Sequence, residues 1–303
     1  MTFELKLRQN KKALKKSSQD TYLRNIRRLR KVFHTLPIPV KDNAWLKEKK
    51  LIAWFDKEPL SVRRHLATAA NIASVIYDSP LSEWKTRQKS SMEEFDEKRR
   101  ERKLNSKQKK LIPAQGFDVL KRVVTQMKKE LRHVLSDIKT KNDLLRVQDL
   151  VILSLYYELP LRLDFATLKI GKEGGNRIFK NGKKPAGWHI YLEDFKTAAS
   201  LGPKKFRLKQ QNQRLLNKFI PAVKKITDHG YLLTNKKGLK MSKQVLSKTL
   251  MRLTKARIGK KFSVQLLRIL YAMKNRGIIE SAKDVSEKLL HSQKQSLQYA
   301  KKI

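Results

Sequence analysis

From Leu150 the chain reads LVILSLYYELPLRLDF, a stretch of helix with no face left for water before Pro160 stops it. A helix that is apolar on every side cannot lie on a surface, so other elements must enclose it in a core. Just past the stop stand Arg162 and, two residues on, Asp164. An arginine there is held by a rigid core and presented at its edge. Taken alone, the position fits a snorkelling side chain better than a functional one.

Charge sets the next constraint. The 303 residues suffice for two ordinary domains, and 40% of them are hydrophobic, yet 71 Lys and Arg against 27 Asp and Glu leave a net charge of +44. That excess opposes compaction unless a polyanion neutralises it. The cations run along the whole chain, which fits a long phosphate backbone better than a membrane surface or an acidic protein. A protein that coats phosphate without chemistry, or a solvated charged surface, are the plainer readings. With no cysteine, disulfides, thiolate zinc sites and a cysteine nucleophile are excluded. No apolar run approaches the ~20 residues of a membrane span. The start, MTFELKLRQNKKALKK, lacks the apolar core of a secretory signal. An unsecreted, intracellular protein without membrane contact is expected, in the nucleus or at a viral or cytoplasmic site of DNA replication.

The pattern predicts a helical first part. Tyr22, Ile26, Leu29 and Phe33 fall at helical spacing, a second helix is expected around DNAWLKEKKLIAWF, and a third turns Val62, Leu66, Ala69, Ala73 and Ile76 inward. The dense mixed charge of EEFDEKRRERKLNSKQKK predicts a linker or a solvent-crossing helix, and the domain boundary is placed near residue 110. Beyond it the apolar helix is followed by two strands, GWHIYLEDFKT and KKFRLKQ, joined by AASLGP. The glycine-rich GKEGGNRIFKNGKKPAG reads as a β-turn insertion, and from Ser242 the chain is helical again. The expected class is mainly α with a small antiparallel sheet (α+β), as two domains, 1–110 and 111–303.

Few residues stand out as chemical. In KKFSVQLLRILYAMKN, Ser263 can cap a helix on which Gln265 and Arg268 lie three apart, expected on one side. Near the end, His291 follows an apolar pair and Tyr299 comes eight residues later. Each alone reads as structural. In order, however, the chain gives an arginine after a buried helix, a hairpin lysine, a helix ending its motif in arginine, a Leu-His-Ser turn and a late tyrosine. This ordered set resembles the tyrosine recombinase (phage integrase-like) family over most of the chain. The Arg-x-Asp at Arg162 is similar to integrases of large DNA viruses and their mobile elements.

The resemblance implies a helical core-binding domain and a helical catalytic domain gripping duplex DNA as a C-shaped clamp, with a homo-tetramer on DNA and no metal or cofactor. It implies a site of Arg162, Lys196, Gln265, Arg268, His291 and Tyr299, with Asp164 orienting Arg162. The arginines would bind the non-bridging phosphate oxygens, His291 would add a hydrogen bond, Tyr299 would attack and Lys196 would protonate the leaving 5′-oxygen. Two departures stand out. Gln265 occupies the usual place of a histidine, and the interval from His291 to Tyr299 is one residue shorter than in many bacterial members. The expected function is site-specific recombination or integration through a 3′-phosphotyrosine. The alternatives are a catalytically lapsed DNA-binding protein, which Gln265 favours, a type IB topoisomerase-like strand-passing enzyme, and a structural RNA binder. Neither a two-metal carboxylate cluster nor a GxxxxGK loop occurs, which argues against a metal nuclease or an NTPase.

Overall fold

The computed structural model describes residues 2–12, 14, 16–33, 38–39, 41–101, 103–182, 186–275 and 288–289, with Arg100 in its backbone only. It divides into two compact units, Met1–Glu101 and Arg102–Ile303.

The first unit holds α1 (Phe3–Asn10), α2 (Lys16–Arg30), α3 (Lys49–Lys57), α4 (Leu60–Ile76) and α5 (Ser82–Arg100). Helix α2 buries Leu23, Ile26 and Leu29 but also Gln19, while Tyr22 and Phe33 are only partly buried. The inward face is rotated because the Gln19 amide closes the α1–α2 turn, donating to the carbonyls of Lys11 (2.8 Å) and Leu14 (3.2 Å). Helix α4 buries the expected Leu66, Ala69, Ala73 and Ile76 together with Ala67, Ala70 and Ser74. These small residues let α2 and α5 pack closely on either side. Trp84 of α5 is fully buried, sits edge-on to Phe55 and donates Nε1–H to the Leu46 carbonyl at 2.8 Å. The charge-dense stretch is thus helical as far as Arg100, continuing the helix that Trp84 anchors in this core.

The second unit holds α6 (Ser106–Leu111), α7 (Val119–Glu130), α8 (Arg132–Ser136), α9 (Lys141–Glu158), α10 (Ala198–Leu201), α11 (Gln210–Ile226), α12 (Lys243–Ile258) and α13 (Val264–Lys274). Its strands are β1 (Lys169–Ile170), β2 (Arg177–Asn181), β3 (Gly187–Leu192) and β4 (Lys204–Arg207), side by side in that order. β1 and β2 are parallel, and the other neighbours are antiparallel. The glycine-rich stretch is therefore more than a turn insertion. Its middle is β2, because Ile178 faces Ile190 across the ladder and both are fully buried.

Helix α9 is the apolar helix of the sequence. Every residue from Leu150 to Tyr156 is buried, with α7, α11 and α12 packed around it. A reciprocal Thr140–Asp143 cap starts it. Far along the chain, Gln148 exchanges two hydrogen bonds with the backbone of Thr234, at 2.9 and 2.7 Å. Among the described residues, no helix is long and apolar enough to cross a membrane.

Candidate functional site

Helix α9 ends at Glu158, and Pro160 prevents its continuation. The chain then turns tightly, with the Leu161 N–H donating to the Leu159 carbonyl at 2.7 Å and the Leu161 side chain fully buried. Tyr156, also fully buried, donates its hydroxyl to the carbonyl of Arg162 at 2.8 Å. Arg162 is thereby held through its backbone while its side chain is half-buried. Burial, then the nearby Asp164 charge, push the Tyr156 phenol well above its ordinary value, with Arg268 acting in the opposite direction.

Asp164 opens a 3₁₀ turn, Asp164–Thr167, on which α12 packs. It is 3% exposed, and its Oδ2 accepts no hydrogen bond among the described residues. Burial raises its carboxyl above the carboxylate range, against the pull of Lys243, Arg162 and Arg268. Three cations therefore share the field of one buried acid.

Arg268 is more deeply placed than its sequence setting implies. Ser263 caps α13 as expected, accepting from the Leu266 N–H at 3.2 Å. Arg268 is 2% exposed, and its guanidinium donates to the carbonyl of Pro160 at 3.0 Å and to that of Leu289. Gln265 is exposed on the same helix. Three residues leave side chains about 60° apart, enough at the margin of a buried face to put one inside and one in solvent. Tyr271, on the next turn, packs edge-on against Phe117 with ring centroids 5.3 Å apart.

Lys196 lies in the loop joining the antiparallel strands β3 and β4, and its side chain is exposed. His291 and Tyr299 lie outside the described residues. Leu289, two positions before His291, is fully buried.

The structure thus brings Arg162, Asp164 and Arg268 together and adds residues the sequence did not single out. Tyr156 carried only a weak signal, as one of several polar groups, with Ser154, Tyr157 and Glu158, in the apolar half of α9. Lys243 had no such signal, because its closeness to Asp164 arises only when α12 packs on the 3₁₀ turn. Asn176, 5% exposed, links that turn to the Lys196 loop. Chemically, two guanidinium groups set by buried backbone on one small region suit an anionic centre with several oxygens, such as a phosphodiester.

No family model matches the sequence, and no curated protein does. Among solved structures, the chain is similar to the Tn1549 transposon integrase, solved in complex with transposon right end DNA. That likeness has a TM-score of 0.55 at 12% identity and covers 100% of this chain and 96% of that one. It also matches XerA recombinase, with a TM-score of 0.43 at 11% identity over 99% of this chain and 93% of the other. The helical first unit and the helical second unit with its small sheet, taken with the Tn1549 likeness, show that this chain has the tyrosine recombinase fold.

Proposed function

We propose that the protein is a site-specific DNA recombinase or integrase that cuts and rejoins duplex DNA through a 3′-phosphotyrosine. One observation carries the reading. The Arg268 guanidinium joins the carbonyl of Pro160, in the turn that presents Arg162, to the carbonyl of Leu289, two residues before His291. One buried cation therefore ties the two parts of the chain that would have to meet at a phosphate.

In this reading Arg162 and Arg268 bind the non-bridging oxygens and stabilise the charge of the pentavalent phosphorus. The Tyr299 oxygen forms a bond to phosphorus and gives its proton to solvent. The bond from phosphorus to the 5′-oxygen breaks, its electron pair stays on that oxygen, and the Lys196 ammonium supplies the proton. A 5′-hydroxyl from another strand reverses these steps, so resealing needs no ATP. Duplex DNA is the partner, both units contribute cations to it, and a homo-tetramer is the working assembly.

The test is a nicked suicide duplex, scored for a denaturation-resistant protein–DNA band. The wild type is expected to form the band. Tyr299→Phe should abolish it with duplex affinity nearly unchanged, and Arg162→Ala or Arg268→Lys should also lose it. A band that persists in Tyr299→Phe refutes the nucleophile. Duplex binding without any band in the wild type favours the second reading, a lapsed DNA-binding protein, for which Gln265 in place of histidine is the supporting observation.

A further inference from the structure

The GKEGGN segment before β2 has a structural role that its composition does not reveal. Gly174 and Gly175 both take left-handed backbone conformations, with φ of 71° and 59°, which other residues rarely adopt. They turn the chain so that Asn176 points into the protein, where it is 5% exposed. The Asn176 amide nitrogen donates to the Thr167 hydroxyl at 2.9 Å and to the Asp194 carbonyl at 2.6 Å. Its amide oxygen accepts the N–H groups of Glu193, at 3.0 Å, and Asp194, at 2.9 Å. Both donors and both acceptor positions of the side chain are thus engaged.

These partners belong to two places. Thr167 ends the 3₁₀ turn that begins at Asp164, and its hydroxyl in turn donates to the Asp164 carbonyl at 2.7 Å. Glu193 and Asp194 begin the loop that carries Lys196. Past them, Phe195 is buried and its carbonyl accepts the Ala198 N–H at 3.0 Å. Lys196 therefore stands on backbone fixed on both sides while its own side chain reaches into solvent.

We infer that Asn176 is a positioning residue for Lys196, setting the distance between the lysine that protonates the leaving oxygen and the Asp164–Thr167 turn that follows Arg162. The inference rests on the recombinase reading. An asparagine suits the position because it grips two N–H groups and two oxygens at once. Aspartate keeps the acceptor but turns a lone pair on the Asp194 carbonyl, and alanine leaves all four partners without their bonds.

A substrate whose bridging 5′-oxygen is replaced by sulfur separates positioning from mere structure. When the phosphorus–sulfur bond breaks, the thiolate leaves with the electron pair and needs no proton, so cleavage no longer depends on an acid. The experiment compares full-length wild type, Asn176→Ala, Asn176→Asp, Lys196→Ala and the Asn176→Ala/Lys196→Ala pair in single-turnover cleavage of oxygen- and sulfur-bridged suicide duplexes. Thermal melting of each protein is recorded alongside. Lys196→Ala should slow the oxygen substrate by the ~10²–10⁴-fold typical of a general acid. Asn176→Ala and Asn176→Asp should each slow it by about 10-fold or more, but by no more than Lys196→Ala does. All variants should recover to near the wild-type rate on the sulfur substrate, and the pair should be no slower than Lys196→Ala alone. Asn176 variants that cleave both substrates equally slowly, or that keep the wild-type rate on oxygen, overturn the inference. Absence of cleavage of either substrate by the wild type instead refutes the recombinase reading itself.

Discussion

The Tyr156 hydroxyl donates to the carbonyl of Arg162 at 2.8 Å, from a position with no exposure to solvent. The turn that presents Arg162 is therefore fastened from inside the core, by the same helix that precedes it. Tyr156→Phe keeps the ring and its edge-on contact with Phe165 but leaves a carbonyl without its donor. Stability should fall by roughly 1–3 kcal/mol, the usual cost of such an orphaned group. Urea midpoints measure it, and covalent adduct formation on the suicide duplex should slow in the same variant. An unchanged midpoint would show that the carbonyl finds another donor.

Asp164 gives a prediction in pH. Burial raises its carboxyl above the ordinary range, so the folded protein holds the proton to higher pH than the unfolded chain does. Folding then loses stability as pH rises from the ordinary carboxylate value through the raised one. Asp164→Asn has no proton to lose. The variant should gain on the wild type in unfolding free energy as pH rises through that window, while its cleavage falls because Arg162 and Arg268 lose the acid beside them. Chemical denaturation at pH 4 and at pH 7 reads the first effect. A gap between the two proteins that does not widen would contradict it.

Gln265 tests the chemistry by gain. An amide can donate to a phosphoryl oxygen but cannot release a proton near neutral pH, whereas imidazole titrates at about 6.5. The residue is exposed on α13, so Gln265→His should be accommodated without repacking. Adduct formation should speed up and acquire a dependence on pH between about 6 and 7. Single-turnover rates across that range decide it, and equal rates would make the position structural.

Duplex binding should depend steeply on salt and little on sequence, since a protein carrying a net charge of +44 acts on phosphates through counterion release. If 6–10 phosphates are contacted, affinity should drop by roughly 10³–10⁵ between 50 and 200 mM salt. Fluorescence anisotropy on unrelated duplexes measures the slope. A flat response removes nucleic acid as the partner.

Much of this was legible in the sequence because it depends on neighbours in the chain. The burial of α9, its stop at Pro160, the Ser263 cap and most of the inward face of α4 follow from local periodicity and capping. What was not legible depends on meetings at a distance. Gln19 turned the face of α2 because an amide found two carbonyls in the preceding turn. Arg268 looked like a surface residue until Pro160, 108 positions away, supplied a carbonyl. The β2 strand hid in a glycine-rich segment, since its partner, β3, lies beyond another turn. Asn176 carried no signal of its own, for an asparagine after two glycines reads as a loop until its four partners are known.

Helix α9 also bears on how the protein reaches its working state. Gln148 reaches Thr234 across 86 positions, Asp149 meets Arg252 across 103, and the turn after the helix meets Arg268 across 108. All three are closures of long loops on one segment, which makes folding of this unit slow relative to a bundle of neighbouring hairpins. During synthesis α9 is complete long before any of these three partners has left the ribosome. Until they are made, only earlier elements such as α7 can cover its apolar faces. The pairing of the Pro160 turn with Arg268 therefore cannot form before Arg268 has been translated.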